Sequence, residues 1–377
     1  MESTTTNTAP RALVAGASFA GLAAAFWMNK LGYRVTLVET GAAMKKGGTP
    51  VDIRDDSIAM VERMGLLEAI SAKSLPARVT EFTNKDGGLD ARIPAEEPNP
   101  DGTVDGYEIH RDDLLAILFA AIEDDVDVVF SNSIITLTDI ADGVHATFRD
   151  GIEGDFAIVL GCEGNHSAIR RMRFGPETDY SHFLHNYFTV AIVDDTFLAP
   201  GITKMLNTPG RTMMLNSYED TTDIVLTFHS DEEIPYDYHD ADQQKSILRE
   251  RFADAGSPFT EMVEKAEKAD NFYFDKLSQI KMPNWTSGRV ALVGDAAYCA
   301  SPAAGMGGSL AIMGATYLFD AFQSADGDID SAFEEYESSF RPVVEAIQAE
   351  AVNFGVATFF PETEEAIQAR NAMFTGN

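Results

Sequence analysis

Apolar residues along this chain fall first into runs too short for helices. Residues 11–16 and 34–39 are such runs and read as buried strands, and the Ala-, Leu- and aromatic-rich stretch 19–31, closed by Gly32, reads as the helix between them. This strand, helix, strand unit suits parallel pairing. A Gly-rich turn at 46–50 leads to an amphipathic helix over 55–73. A hairpin over 79–92 turns at Asp86-Gly87-Gly88, and an acidic solvated loop fills 95–106. The spacing of Leu114, Leu115, Leu118 and Ile122 predicts a helix over 111–124. Runs at 126–130, 134–140, 144–148 and 156–160, separated by Asp and Gly turns, predict a small antiparallel sheet leading back to the main one. From Gly175 the texture changes: strand-like runs at 188–193, 211–218 and 224–229 precede an acidic helical stretch over 242–268. Residues 289–293 form one more buried strand. The chain is chiefly helical from Gly307, with 331–368 split into two helices near Phe359-Phe360-Pro361.

The expected class is α/β with α+β character: a Rossmann-like nucleotide-binding domain, an inserted antiparallel-sheet domain and C-terminal helices. The boundaries follow the texture. Residues 1–10 form a Thr-rich frayed tail, 11–174 the first part of the nucleotide-binding domain, 175–285 a substrate-facing module, 286–330 the second nucleotide-binding part, and 331–377 the terminal helices.

Composition narrows the function more than the fold. Sixty acidic against 28 basic residues among 377 leave a formal net charge of −32, which repels nucleic acid and anionic lipid, so neither is expected as a partner. Two cysteines, Cys162 and Cys299, stand outside any metal-ligand spacing, and no metal is expected. The start lacks a signal peptide's basic and apolar regions, so the expected location is the cytoplasm. Residues 296–319 have the length of a membrane span, but Pro302 and several glycines interrupt them, and they read as a buried loop and helix.

Candidate chemistry begins at Gly16-Ala17-Ser18-Phe19-Ala20-Gly21, between the first strand and helix. Gly16 suits a tight turn, Gly21 close helix packing, and the exposed N–H groups at the helix start suit a pyrophosphate. Ser18 stands where a second glycine is usual, and its small side chain still admits phosphate. Glu39, followed by Thr40, ends the second strand at the spacing where a carboxylate takes both ribose hydroxyls and repels a 2′-phosphate. The site therefore favours the adenosine of FAD or NAD over NADP. The second motif runs from Arg289 through Gly294-Asp295-Ala296-Ala297 to Ser301-Pro302-Ala303-Ala304-Gly305-Met306-Gly307-Gly308-Ser309. A buried strand delivers an acid at its C-terminal end, and a Pro/Gly loop then opens a helix.

Together these two motifs resemble the ends of the FAD site in class A, single-component flavoprotein monooxygenases, the group typified by para-hydroxybenzoate hydroxylase. The resemblance implies that Asp295 holds the ribityl chain and that the loop from Pro302 through Gly305, Met306, Gly307 and Gly308 lies along the isoalloxazine ring. Gly161-Cys162-Glu163-Gly164-Asn165-His166-Ser167-Ala168-Ile169-Arg170 is similar to the family's G-A-D-G-x-x-S-x-x-R motif, with Glu163 in place of Asp and Cys162 in place of Ala. Arg111 matches the family's arginine near the flavin and its phosphates. The segment Lys45 to Asp52, including Gly48, matches the loop over the flavin ring. Within the family the chain most resembles the tetracycline-inactivating flavin monooxygenases, through Lys46-Gly47-Gly48 with Val51-Asp52-Ile53-Arg54, through residues 107–114, and through residues 294–302. The likeness barely touches 175–281, and Met306 replaces the family's usual Gln.

The resemblance implies that NADPH or NADH binds transiently and reduces FAD. Dioxygen then forms a flavin C4a-hydroperoxide that hydroxylates an aromatic or polyketide-like molecule, with tetracycline one candidate. No His/Asp/Ser triad is required. Phe188, Met213, Phe228 and His229 are the residues of the second module singled out for substrate contact, with Met214 and Tyr187 beside them; each also reads as ordinary core or surface. An FAD-linked reductase or oxidase, or a non-catalytic FAD-containing drug-binding protein, keeps the same nucleotide motifs. A halogenase is disfavoured because only Trp27 and Trp285 exist and no W-x-W-x-I-P segment occurs. By the same resemblance the last helix covers the substrate entrance.

Overall fold

The computed structural model describes residues 9–375 apart from 96, 98 and 100–103, so most of the expected N-terminal tail lies outside the described residues. The organising layer is a six-stranded sheet in the order Thr286–Ser287, Val290–Leu292, Ile158–Gly161, Arg11–Ala15, Arg34–Val38, Asp127–Val129. It is parallel except at Thr286–Ser287. Short uninterrupted apolar strands suit a sheet covered on both faces. The helix Phe19–Lys30 is correspondingly buried from Phe19 to Met28. It packs on the helix Gly307–Ser324, where Trp27 stacks on Phe319 at 4.2 Å and its Nε1 donates to Thr316 Oγ1 at 3.0 Å. Of residues 296–319, the helical part from Gly308 lies in the core while the loop before it is partly exposed, and among the described residues no single helix is long and apolar enough to cross a membrane.

Ile134–Ile140, Gly143–Phe148 and Glu153–Phe156 form the small antiparallel sheet, while the runs on either side of it join the main sheet instead. A seven-stranded sheet builds the second module in the order Tyr273–Ile280, Ser181–Val193, Thr222–His229, Arg211–Ser217, Ile202–Thr208, Val79–Thr83, Leu89–Ile93. Its last two strands are the hairpin assigned by sequence to the first nucleotide-binding part; Val79 pairs in parallel with Ile202. The acidic stretch splits at Gly256 (φ +72°) into Ala241–Phe252 and Phe259–Lys268, and these helices cover one face of the sheet. Likewise 55–73 splits at Gly65 (φ +76°) into Asp56–Arg63 and Leu67–Ala72.

Val51–Arg54 and Gly106–Ile109 pair as an antiparallel ribbon that packs on the helix Gly307–Ser324. Ile329–Glu350 runs on through a π-helical turn, Ala351–Val356, to Phe359. The chain then breaks at Phe360 and Pro361 and ends in Glu364–Phe374.

Candidate functional site

Gly16 leaves its strand at φ +99°, and a Cβ there would lie 2.6 Å from Cys162 O. A Cβ on Gly21 would lie 1.8 Å from Gly16 O, so helix and strand cross with no room for a methyl group. Glu39 closes the turn from the neighbouring strand: its carboxylate accepts from Ala17 N at 2.9 Å, Gly41 N at 2.7 Å and Thr40 Oγ1 at 3.0 Å. Backbone donors, a helix N-terminus and a carboxylate beside them are the arrangement that can hold a nucleotide.

Asp295 follows Gly294, whose φ is +72° and whose ideal Cβ would lie 2.7 Å from Ala20 Cβ. The two glycine motifs, nearly the whole chain apart, therefore meet. Enclosure by surrounding protein pushes the Asp295 carboxyl up to about 6, while solvent still reaches the side chain, so it lines a deep cleft. Ser301 then enters the loop at φ +80°, strain of about 1–3 kcal/mol that its surroundings must hold. Pro302–Ala304 makes one tight turn and Gly305 sits at φ +64°. The helix opens at Gly307 with Pro302, Gly305 and Gly307 exposed. Its positive end can stabilise an anion in the cleft. Gly308 packs against Val51, and Ser309 Oγ donates to Asp52 O at 2.8 Å, which fixes the ribbon against the helix. Met306 is only 8% exposed and packs into the core.

The loop from Lys45 to Gly48 crosses to the second module. Arg111 Nη1 donates to Lys45 O at 2.8 Å, and its Nη2 donates to Ser18 Oγ at 3.2 Å. The guanidinium stands 5.2 Å from the Phe19 ring, and a Cβ on Gly48 would press its Cδ at 3.0 Å. Arg111 thus bridges the nucleotide turn and the loop. Glu163 serves its own motif: its Oε2 accepts from Ser167 Oγ at 2.7 Å and Ile169 N at 2.9 Å, beside Gly164 at φ +79°. Burial, partly offset by those bonds, raises its pKa. The fully buried Arg170 carries the motif onward to Ala296 O at 2.9 Å and Glu177 Oε2 at 3.2 Å.

On the seven-stranded sheet, strand alternation decides which side chains can reach the cleft. Met213 and Phe228 are 3% and 2% exposed and point under the two helices, so they are core rather than cleft wall. Phe188, Val190, Met214 and Val225 share the opposite face, paired through the registers Val190↔Val225 and Met214↔Val225. Phe188 and Met214 are half-buried, and Phe188 meets Tyr273 at 5.6 Å. His229 sits at its strand's end, 3.3 Å from Asp231 and 3.4 Å from Glu362. Sequence reading missed Tyr273 and Asp275. Their one signal was a carboxylate inside an apolar strand. It also passed over the buried cluster in which Arg78 pairs with Glu108 and stands 5.0 Å from the Tyr218 ring, and Tyr218 donates to Asp223 at 3.2 Å. Burial, partly offset by Tyr218 and Arg78, pushes Asp223 up to about 7.

Comparison with known proteins agrees with this geometry. Residues 10–351 match a family described as an FAD binding domain. The chain is 35% identical over 340 residues to an uncharacterized protein of Mycobacterium tuberculosis, covering 89% of this chain and 91% of that one. It is 32% identical over 349 residues to a flavin-dependent monooxygenase of Legionella longbeachae, covering 91% and 87%. Among solved structures, tetracycline destructase Tet(55) superposes with a TM-score of 0.84 at 31% identity, over 98% of this chain and 95% of the other.

Proposed function

Because this chain belongs to the FAD binding domain family and is an FAD-dependent monooxygenase, we propose that NADPH or NADH reduces its FAD and that an aromatic or polyketide-like small molecule is hydroxylated with dioxygen, a tetracycline-type antibiotic being the first candidate. The observation that carries the reading is the meeting of Gly294 and Ala20, which brings the nucleotide turn and the Asp295 loop to one cleft. FAD, when bound, supplies the redox chemistry and the activation of dioxygen.

The protein's part is to bind, orient and exclude water. In this reading Glu39 takes the ribose hydroxyls, and the N–H groups after Gly16, with Arg111, take the pyrophosphate. Asp295 takes the ribityl chain. The helix opening at Gly307 faces the ring, where its positive end favours the reduced, anionic form. Phe188, Val190, Met214 and Val225 offer an apolar wall suited to an aromatic ligand and poor at admitting water. The terminal helix covers the same face: Arg370 Nη2 donates to Asn207 Oδ1 at 2.9 Å, and Phe374 stacks on Phe82 at 5.8 Å. As a lid, its removal after Pro361 should weaken apparent substrate affinity while leaving FAD in place.

The test is to purify the yellow protein and follow NADPH and NADH oxidation against a phenolic panel that includes tetracyclines. The expected outcome is consumption stimulated by one ligand class, with a product heavier by one oxygen. Consumption indifferent to every ligand would defeat the hydroxylase reading.

A further inference from the structure

At the edge of the seven-stranded sheet, a line of polar groups runs from His166 through Asp275 to Tyr273, beside the Lys45 loop. Its first member is His166, whose side chain is 25% exposed. His166 Nδ1 lies 3.0 Å from Glu177 Oε2, Nε2 lies 3.4 Å from Asp275 Oδ2, and the ring stacks on Tyr238 at 4.5 Å. The Asp275 side chain is 4% exposed. Its Oδ1 accepts from Tyr236 at 2.6 Å and from Lys276 N at 2.8 Å. Its Oδ2, already facing His166, accepts from the Tyr273 hydroxyl at 3.0 Å. One carboxylate oxygen is thus shared by a histidine and a tyrosine.

Tyr273 is itself 37% exposed, while burial and Asp275 raise the pKa of its hydroxyl. Its ring lies 4.8 Å from the Lys45 ammonium, on the loop that Arg111 ties to Ser18. Burying an aspartate among two tyrosines and a histidine costs desolvation that packing alone does not ask for. Cofactor binding leaves these groups without a task.

We propose that Tyr273 is the proton donor of the flavin cleft, resupplied from solvent through Asp275 and His166. Tyr273 Oη gives its proton to an oxyanion formed in the cleft. The tyrosinate left behind takes a proton from His166 Nε2 by way of Asp275 Oδ2, and neutral His166 recovers one from solvent. Each O–H or N–H bond broken is matched by one formed, and no electrons move. Burial, which disfavours the cation, is outweighed by Asp275 and Glu177, and His166 is pushed up to about 9, so the donor stays loaded at neutral pH. Arg170 and Lys276 face Glu177 behind it. Lys45, Tyr236, Cys299 and Arg111 face Tyr273 from the other elements, and burial with Asp275 holds its hydroxyl protonated until an anion draws on it.

The inference rests on the flavin reading, and its test needs no substrate. FAD-loaded protein is photoreduced without oxygen and mixed with aerated buffer from roughly pH 6 to 10, in H2O and D2O. The return of oxidised flavin absorbance is then timed, and in parallel the His166 imidazole is titrated by NMR. The expected rate is level to near the His166 pKa and falls above it, with a solvent isotope effect. Tyr273→Phe should slow it by at least about tenfold, and His166→Gln should slow it and abolish the alkaline fall. Asp275→Asn should lower the His166 titration by at least about one pH unit. Yellow variants that reoxidise like the parent, with the same pH profile and isotope effect, would overturn the relay, as would a His166 that titrates at its ordinary value. His166→Gln lies at the other end of the line and decides the matter if Tyr273→Phe does not retain FAD. A parent protein that binds no FAD would instead defeat the flavin reading.

Discussion

Gly21 and Gly32 bracket the first helix, and they are glycines for different reasons. A Cβ on Gly21 would lie 1.8 Å from the backbone oxygen of Gly16, so alanine must force the helix off its strand. Gly32 sits at φ +87° with nothing within 4 Å of its ideal Cβ, so alanine there meets only backbone strain. Gly21→Ala should cost more than about 3 kcal/mol and yield protein without bound FAD, whereas Gly32→Ala should cost about 1 kcal/mol and keep it. Flavin content and thermal midpoint of the two proteins distinguish them; equal losses would mean that the crossing is not tight. His166 carries a second residue-scale expectation. Its folded pKa, pushed up to about 9, lies above its ordinary value, so its contribution is full below about pH 6.5 and disappears as pH rises through about 9. Hydrogen bonds outweigh burial to lower Asp275 and Glu177, so their contributions hold above the ordinary carboxylate range and fade in acid. Urea unfolding should show the parent losing about 2–3 kcal/mol between roughly pH 6.5 and 9.5 beyond what His166→Gln loses, and parallel losses would refute the ion pairing.

At the scale of elements, the terminal helix is anchored by a buried cation as well as by the buried Ile367. Arg370, 2% exposed, donates to Thr358 O and to Asn207 Oδ1, each at 2.9 Å, and its guanidinium lies 3.8 Å from the Phe82 ring. It joins the preceding helix, the large sheet and the hairpin at once. Arg370→Met keeps the packing but strands two acceptors, a local cost of about 2–4 kcal/mol. Protease cleavage between Phe359 and Glu364 should quicken at least about tenfold with FAD retained; unchanged cleavage would mean that the helix is held by its apolar face alone. Elements also mark where the sequence was legible. The nucleotide frame could be read because glycines such as Gly16, Gly21 and Gly294 answer to backbone clearances that only they satisfy. The hairpin over 79–92 is legible as a hairpin, but its parallel partner, Ile202–Thr208, lies over a hundred residues away and leaves no local trace. Met213 and Met214 read alike in sequence. Only the side on which Ala241–Phe252 and Phe259–Lys268 settle buries one and leaves the other half-buried on the opposite face, against the cluster of Phe82, Ala91 and Met205. Arg170 could be quoted within a motif, whereas Asp275 acquires meaning only when His166, Tyr236 and Tyr273 arrive from three other segments or positions.

For the whole molecule, the dominant physical fact is a net charge of −32 on a protein whose cofactor is itself an anion. Long-range repulsion and local attraction then compete at the nucleotide turn. Lys45, Lys46 and Arg111 are the cations on and beside the loop there, while acidic residues outnumber basic ones about two to one over the whole chain. Salt acts differently on the two. The Debye length falls from about 10 Å at 0.1 M to about 3 Å at 1 M, so charges spread over the surface are screened well before partly buried contacts at the turn. Association of FAD with the apoprotein should therefore quicken, by roughly threefold or more, as salt is raised from about 0.05 to 0.5 M, the reverse of the trend for an anion steered into a basic site. The dissociation rate, if set by the partly buried contacts proposed at the turn and the Asp295 loop, should change less. Stopped-flow quenching of FAD fluorescence measures both rates. An association rate that falls with salt would show that the local cations govern capture and that the surface charge is remote from the path of entry.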